Sequence, residues 1–446
     1  MRANKFANVV LIGGILFFLM ALIYDLYRIM SLSSLDKHRL IFAVIAIAGV
    51  VICSFALRLR QDYKINLVLT GLSIVVGVYL VEIFIFYQGR SFAHRIQALK
   101  MEIPFDARSK LDIIKELKEQ GVNAFPSFYP RLVISSNGLE INGKRILPLG
   151  GVSRKTTVFC NEIGEWAIYK SDEHGFNNPT GLFEVDGIDM VLVGDSFTHG
   201  ACVKQGEDIA GQLRRMSGLQ VINLGITANG PLLELASLKE YGEPLKPKYV
   251  LWVYYEENDL GDLVSEQKSP LLLKYRDNRF SQNLISRQSE IDSVLIEYIE
   301  GIDRETAALL NVVKLRHLRQ FLGLTASLAA APPLLFFTEL LGDAKNLTSS
   351  WGGKLYFVYL PMWQRYATDV EHGTFQHRNQ VLSVVQRLNI PIIDMHDQVF
   401  AAHPDPLSLF PFRMNGHYTS EGYSLVAKAI QASLKDDGVL KQEKAK

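Results

Sequence analysis

The stretch IDMVLVGDSFTHG, Ile188 to Gly200, decides the fold of this chain. Its opening IDMVLV is a mostly apolar run of the kind that forms a strand buried on both faces, and Gly-Asp-Ser then makes a tight turn. Such a turn lifts the Ser196 hydroxyl out at the carboxyl edge of a sheet, where open α/β sheets carry their chemistry. Ser196 is therefore a candidate nucleophile. Asp195 reads as structural, tying the turn through backbone hydrogen bonds.

Outward from this turn, four more segments read as strands: Gln220 to Asn223, Tyr249 to Tyr255 (YVLWVYY), LYFVYLP ending at Pro361, and PIIDM starting at Pro391. With helices between them, five strands in βα alternation imply a parallel sheet covered on both faces. Candidate partners for Ser196 stand after further strands. Gly225 follows the second, in NLGITANG, and Asn258 follows the third, in EEND. His417 lies in NGHYTSEGY, just before a helix that Thr419 or Ser420 would cap.

This ordered set resembles the SGNH/GDSL hydrolase superfamily, whose four blocks carry Ser, Gly, Asn and His in this order; the resemblance spans about Gly175 to Lys435. It implies a flavodoxin-like three-layer α/β/α domain with a five-stranded parallel sheet, and an SGNH-type serine esterase (a carboxylic ester hydrolase) or O-acyltransferase. By the same resemblance, Ser196 attacks the ester carbonyl and His417 takes its proton. The N–H groups of Ser196 and Gly225 and the amide of Asn258 would hold the oxyanion. His199 and Asn415 are candidates for substrate contact, and GFNNP, Gly175 to Pro179, reads as a loop approaching the site.

The family usually places an Asp two or three residues before the catalytic His, whereas Asn415 and Met414 stand there in this chain. Three outcomes stay open: a Ser–His dyad steadied by Asn415 or a backbone carbonyl, a replacement carboxylate such as Asp405 or Asp397, or an inactive site used for glycan binding. Block three departs as well, with Glu256 where a Gly is frequent.

Composition narrows the classes. Across 446 residues, 47 Lys and Arg face 46 Asp and Glu, a net charge of +1, which does not suit a nucleic-acid footprint. No Walker-type loop or dinucleotide fingerprint occurs, so no cofactor is expected. His396 and His403 lack metal-ligand spacing, and no metal is expected.

The N-terminal part is of another kind. Phe6 to Tyr24, Leu40 to Leu57 and Ile65 to Tyr87 are apolar runs near the ~20 residues a bilayer core requires, and they read as three transmembrane helices. The distribution of Lys and Arg favours an inside N-terminus, so three crossings place the following domain outside a bacterial-type inner membrane. Asp25 and Glu82 read as solvated end residues near the outer interface. Of the 3 cysteines, Cys160 and Cys202 lie in the soluble part, where a disulfide and two free thiols both remain open.

The organisation expected is a membrane domain over 1–90, a linker helix and small β-rich subdomain over 91–185, and an SGNH-like domain over 186–440 with a helical insertion at about 262–353. SKLDIIKELKEQ, ending at Gly121, reads as a helix, and Asn137-Gly138 and Asn142-Gly143 as turns between strands. Within the insertion, KLRHLRQFLGL (Lys314 to Leu324) and the proline-split run Thr325 to Leu341 suit an interfacial helix or a lid, or else a hairpin packed on the sheet. The expected partners are the membrane and an acylated carbohydrate or lipid of the cell envelope. Three helices are too few for an acyl-donor channel, so a transferase would draw on a separate acyl-donor protein.

Overall fold

The computed structural model describes residues 2–32, 37–88, 92–302, 304–321, 333–367 and 377–438. They divide into two compact units: Met1–Arg90 with Asp303–Ala329, and Ser91–Ile302 with Ala330–Lys446.

The second unit is built on a five-stranded sheet of β1 (Met190–Gly194), β2 (Val221–Asn223), β3 (Tyr249–Tyr255), β4 (Lys354–Leu360) and β5 (Ile392–Asp394). The strands are all parallel in the order β2-β1-β3-β4-β5, the flavodoxin-like order. Alternate residues feed two separate cores. Val191, Val193, Val250, Trp252, Tyr254, Phe357 and Tyr359 face one side; Met190, Leu192, Leu251, Val253, Tyr356, Val358 and Ile393 face the other. This explains the unbroken apolar strands, because neither face can afford a polar residue. The first face is covered by helices that include Pro231–Ser237, Leu334–Ser350 and Arg378–Arg387, the second by Ile209–Ser217 and Ser420–Asp436.

The region ahead of the sheet shows most of its predicted local elements, though Asn137-Gly138 follows a 3-10 turn, Ile134–Ser136, where a strand was expected. Ser109 caps the Lys110–Glu119 helix in a capping box with Asp112, and Gly121 follows at φ 79°. Leu139–Ile141 and Lys144–Ile146 pair antiparallel across Asn142-Gly143, whose positive φ values of 48° and 74° suit a type I′ turn. Thr156–Val158 and Ile168–Lys170 form a second antiparallel pair. Phe125, Ile146, Leu147 and Phe176 join the same buried cluster as β1 and β3, so this region packs directly on the sheet and forms no compact unit of its own.

In the first unit, Arg2–Tyr27 and Gln61–Phe86 are long and apolar enough to cross a membrane. The middle apolar stretch, Leu40–Ala56, falls in the shorter class of 10–17 residues. That stretch is part of the Lys37–Ala56 helix of 20 residues. Two helices, where three were expected, are thus long and apolar enough over their described residues to count as spans, and Lys37–Ala56 lies between them in the chain.

The expected insertion is split between the units. Its Arg304–Val313 and Arg316–Phe321 helices belong to the first unit, while Leu334–Ser350 covers the sheet through Phe337, Leu340, Leu341 and Ala344. Thr325 to Pro332 lies outside the described residues. Glu82 is not a solvated end residue. It is fully buried, accepts the backbone N–H groups of His317 (3.0 Å) and Leu318 (2.7 Å), and pairs with the His317 ring at 2.7 Å. The start of a helix leaves N–H groups without intrahelical partners, and Glu82 satisfies two of them.

Candidate active site

The β1 strand delivers its chemistry through a turn with no room for error. A Cβ on Gly194 would strike the Thr198 side chain and lie 2.8 Å from the Val253 carbonyl, so only glycine allows the chain to bend there. Asp195 then caps the Ser196–His199 helix, its Oδ1 accepting Phe197 N–H at 2.9 Å. Ser196 is thereby presented at the carboxyl edge, between β1 and β3 where the strand order reverses.

Its hydroxyl lies 2.9 Å from Nε2 of His417. His417 is anchored by the two residues that follow it: the Tyr418 hydroxyl donates to the Pro361 carbonyl at 2.7 Å, and Thr419 Oγ1 accepts Gly422 N–H at 3.2 Å to cap the Ser420–Asp436 helix. Phe197 supports the imidazole with ring centroids 4.7 Å apart.

The carboxylate is Glu162. Its two oxygens lie 3.0 and 3.1 Å from His417 Nδ1, and Oε2 also accepts the His417 backbone N–H at 2.8 Å. A carboxylate on Nδ1 makes that nitrogen the protonated one and leaves the Nε2 lone pair for the serine proton. Of the three outcomes left open by the sequence, the structure shows a replacement carboxylate, but neither of those named. Asp405 is paired with Arg413, Asp397 with Arg378, and Asn415 borders the pocket.

Glu162 stands 255 residues before His417, at the tip of the hairpin between Thr156–Val158 and Ile168–Lys170. No linear pattern joins it to the four blocks. The one pointer is Cys160, whose disulfide to Cys202 ties this tip to the loop following the nucleophile helix. Cys202 Sγ also lies close to Glu162 and His417, and its bond to Cys160 removes it as a metal ligand.

Electrostatics follow from this chain of three. Burial opposes a charge on the His417 ring, but the Glu162 charge and hydrogen bond, with Asp195 and Glu257 beyond, outweigh it and raise its pKa. Burial likewise works against the Glu162 charge, yet His417 holds that carboxyl down at about 2.

Other expected site residues are placed differently. The Gly225 N–H donates to Asn223 Oδ1 at 2.8 Å, and a Cβ there would meet Thr198 Cβ at 2.5 Å and His199 N at 2.6 Å. Gly225 thus allows the second loop to press on the back of the nucleophile turn; its N–H is committed and does not serve the oxyanion. Asn223 organises this contact, donating also to the Thr198 carbonyl at 2.6 Å. Asn258 does border the pocket, with Nδ2 bonded to Asp262 Oδ2 at 2.9 Å. Ser196, at the first position of its helix, has a backbone N–H with no intrahelical partner.

His199 does not contact the pocket. It is fully buried, with Nε2 2.9 Å from the Tyr169 hydroxyl and its ring on Phe159 at 4.2 Å. Burial pushes its pKa down to about 3, so it is a neutral packing residue. GFNNP is a brace for the sheet end: Asn177 donates to the His199 carbonyl at 3.0 Å, and Asn178 bridges the backbone of Asn223 at 2.8 Å. Glu256 pins the loop after β4 through Tyr359, Met362 N–H and Arg365, which accounts for a side chain where the family often has none.

The pocket, of about 260 Å³, opens between Ser196, Tyr255, Glu257, Asn258, Asn415 and His417. Because Glu162 already serves the imidazole, Asn415→Asp would add a further negative charge beside it and raise the His417 pKa again. We expect roughly 5- to 10-fold lower ester hydrolysis at pH 7 and an acid limb moved to higher pH. A pH–rate profile checks this, and higher activity in the variant would contradict it.

Several buried carboxyl groups have raised pKa values. Burial pushes Asp262 and Asp172 up to about 7 and Glu266 up to about 8; Glu266 is fully buried and accepts Gly230 and Leu232 N–H groups. A carboxyl whose pKa is higher folded than unfolded binds more protons when folded, so its stabilisation is full below about pH 4 and is lost as pH rises through 7 to 8. The unfolding temperature should therefore fall by at least about 5 °C between pH 5.5 and 8.5, read by tryptophan fluorescence. A flat or rising profile would show these groups ionised in the fold.

No protein-family model matches the chain, and no curated protein matches it. Among solved structures it is similar to the lipase/acylhydrolase of Enterococcus faecalis, at 17% identity over 58% of this chain and 99% of that one, with a TM-score of 0.34. The likeness is to G-D-S-L proteins. A member of the lipolytic G-D-S-L family from Veillonella parvula matches at 12% identity over 55% of this chain and 98% of its own, TM-score 0.33. An acetyl-xylooligosaccharide esterase from Geobacillus matches at 14% over 58% and 98%, TM-score 0.33.

Proposed function

We propose that this chain is a membrane-anchored SGNH-type serine esterase that removes short acyl groups, acetyl foremost, from cell-envelope glycans or lipids. The observation that carries the reading is the hydrogen-bonded series Ser196–His417–Glu162. His417 takes the serine proton as Oγ attacks the ester carbonyl, and Glu162 stabilises the imidazolium that results. The developing oxyanion meets the Ser196 N–H and the Asn258 side chain at the pocket wall. His417 then returns the proton to the leaving alkoxide, and water, activated by the same base, releases the acyl group. A pocket of about 260 Å³ suits a small acyl group. A sugar hydroxyl in place of water would make the same acyl-enzyme an O-acyltransferase.

Membrane anchoring is supported by the apolar Arg2–Tyr27 and Gln61–Phe86 helices. An extracytoplasmic site is supported by the Cys160–Cys202 disulfide, since such bonds persist in oxidising compartments. A C-terminal alkaline phosphatase fusion should be active and a C-terminal GFP fusion dark; the reverse pattern overturns the topology. Purified protein should hydrolyse p-nitrophenyl acetate faster than long-chain esters, and failure to turn over any ester would leave only the glycan-binding reading.

A further inference from the structure

We propose that His94 is a positioning residue for Glu162, a fourth member of the series that ties the catalytic carboxylate to the Phe92–Lys100 helix; this rests on reading Ser196–His417–Glu162 as the catalytic triad. His94 lies on the Phe92–Lys100 helix, which begins four residues after the apolar Gln61–Gln88 helix ends.

Three observations meet at this side chain. First, His94 Nε2 is buried and has no hydrogen-bond partner among the described residues, and a buried polar nitrogen is costly unless it is used. Second, both groups border Gly416. A Cβ there would sit 2.8 Å from Glu162 Oε2 and 3.4 Å from His94 Nε2. Glycine at the position before His417 therefore leaves the space that lets the carboxylate and this ring approach each other. Third, His94 acts electrostatically on Glu162, favouring its charged form.

The ring is steadied by Phe412, with centroids 6.2 Å apart, on the segment leading into His417. The physical role follows from geometry. Both Glu162 oxygens face His417; the backbone of its hairpin tip is fixed by the disulfide and by Asn161 and Gly164 bonding to Asp106, which leaves the side chain's own swing to be limited by its neighbours. The His94 ring, near enough to act on the carboxylate's charge, limits that swing, and a carboxylate displaced by an ångström ceases to orient the imidazole.

The test uses the full chain in detergent, with p-nitrophenyl acetate as substrate. His94→Ala should lower kcat roughly 10- to 100-fold with KM unchanged, and His94→Gln, which keeps a donor, should recover most of it. In a Glu162→Gln background, His94→Ala should have almost no further effect, because both changes act through one carboxylate. Gly416→Ala, which pushes a methyl group against both side chains, should reproduce the His94→Ala loss and serves if that variant does not fold. Unchanged kcat in His94→Ala, or an equal loss in both backgrounds, overturns the proposal. Unchanged kcat in Glu162→Gln alone overturns the triad reading instead, so the two failures are distinct.

Discussion

Glu162→Gln should reduce kcat for ester hydrolysis by about 10³- to 10⁴-fold at pH 7, with little change in KM. An amide in place of the carboxylate removes the charge that stabilises the imidazolium. It also allows the wrong His417 tautomer, in which Nε2 carries the proton and cannot accept one from Ser196; a comparable change in a serine protease has that size of effect. The pH profile should change in a definite direction. In the native chain the Glu162 charge raises the His417 pKa against burial, so the acid limb of kcat/KM should lie above the ordinary imidazole value of about 6.5. Without that charge burial dominates, and the limb should move below it. Rates measured from pH 5 to 9 for both proteins decide the matter, and an acid limb that stays in place would mean that Glu162 does not face a titrating His417.

Ser196→Ala should have the largest effect of any single change, removing about 10⁶-fold of kcat. The residual rate would come from oxyanion donors and binding alone. The side chain is 8% exposed and stands on a turn whose cap is Asp195, so its loss leaves the fold intact. Thermal unfolding should match the native chain within about 2 °C. A fluorophosphonate probe should label the native protein once, at Ser196, and leave the variant unlabelled. Labelling that persists in the variant would assign the nucleophile elsewhere.

These two expectations differ in where their residues could be read. Ser196 was legible because a strand buried on both faces leaves an unbroken apolar run, and the Gly-Asp-Ser turn that follows it has a narrow set of backbone solutions. His417 was legible for a similar reason, lying directly before a helix with a threonine cap. The five strands also followed from local pattern, since apolar runs in βα alternation imply a parallel sheet; their order was shown by the pairing. Even the small hairpin at Asn142-Gly143 was local chemistry, decided by residues that tolerate positive φ.

What only the tertiary structure decided depends on contacts between segments far apart in the chain. Glu162 reaches His417 because a hairpin from an earlier, separate sheet folds back over the nucleophile edge, and no periodicity encodes that. Gly225 and His199 sat at the right sequence positions, but their directions were set by Asn223, Thr198 and Tyr169 from three different elements. Glu82 looked like a helix-end charge until a helix from more than two hundred residues later in the sequence supplied its N–H partners. Sequence by itself determined the elements, their hydrophobic faces and the turn that carries Ser196, because these are properties of a few adjacent residues. The carboxylate on His417, the packing histidine and the buried acid were decided by tertiary structure, because a side chain's charge and direction depend on whichever distant segment lies against it.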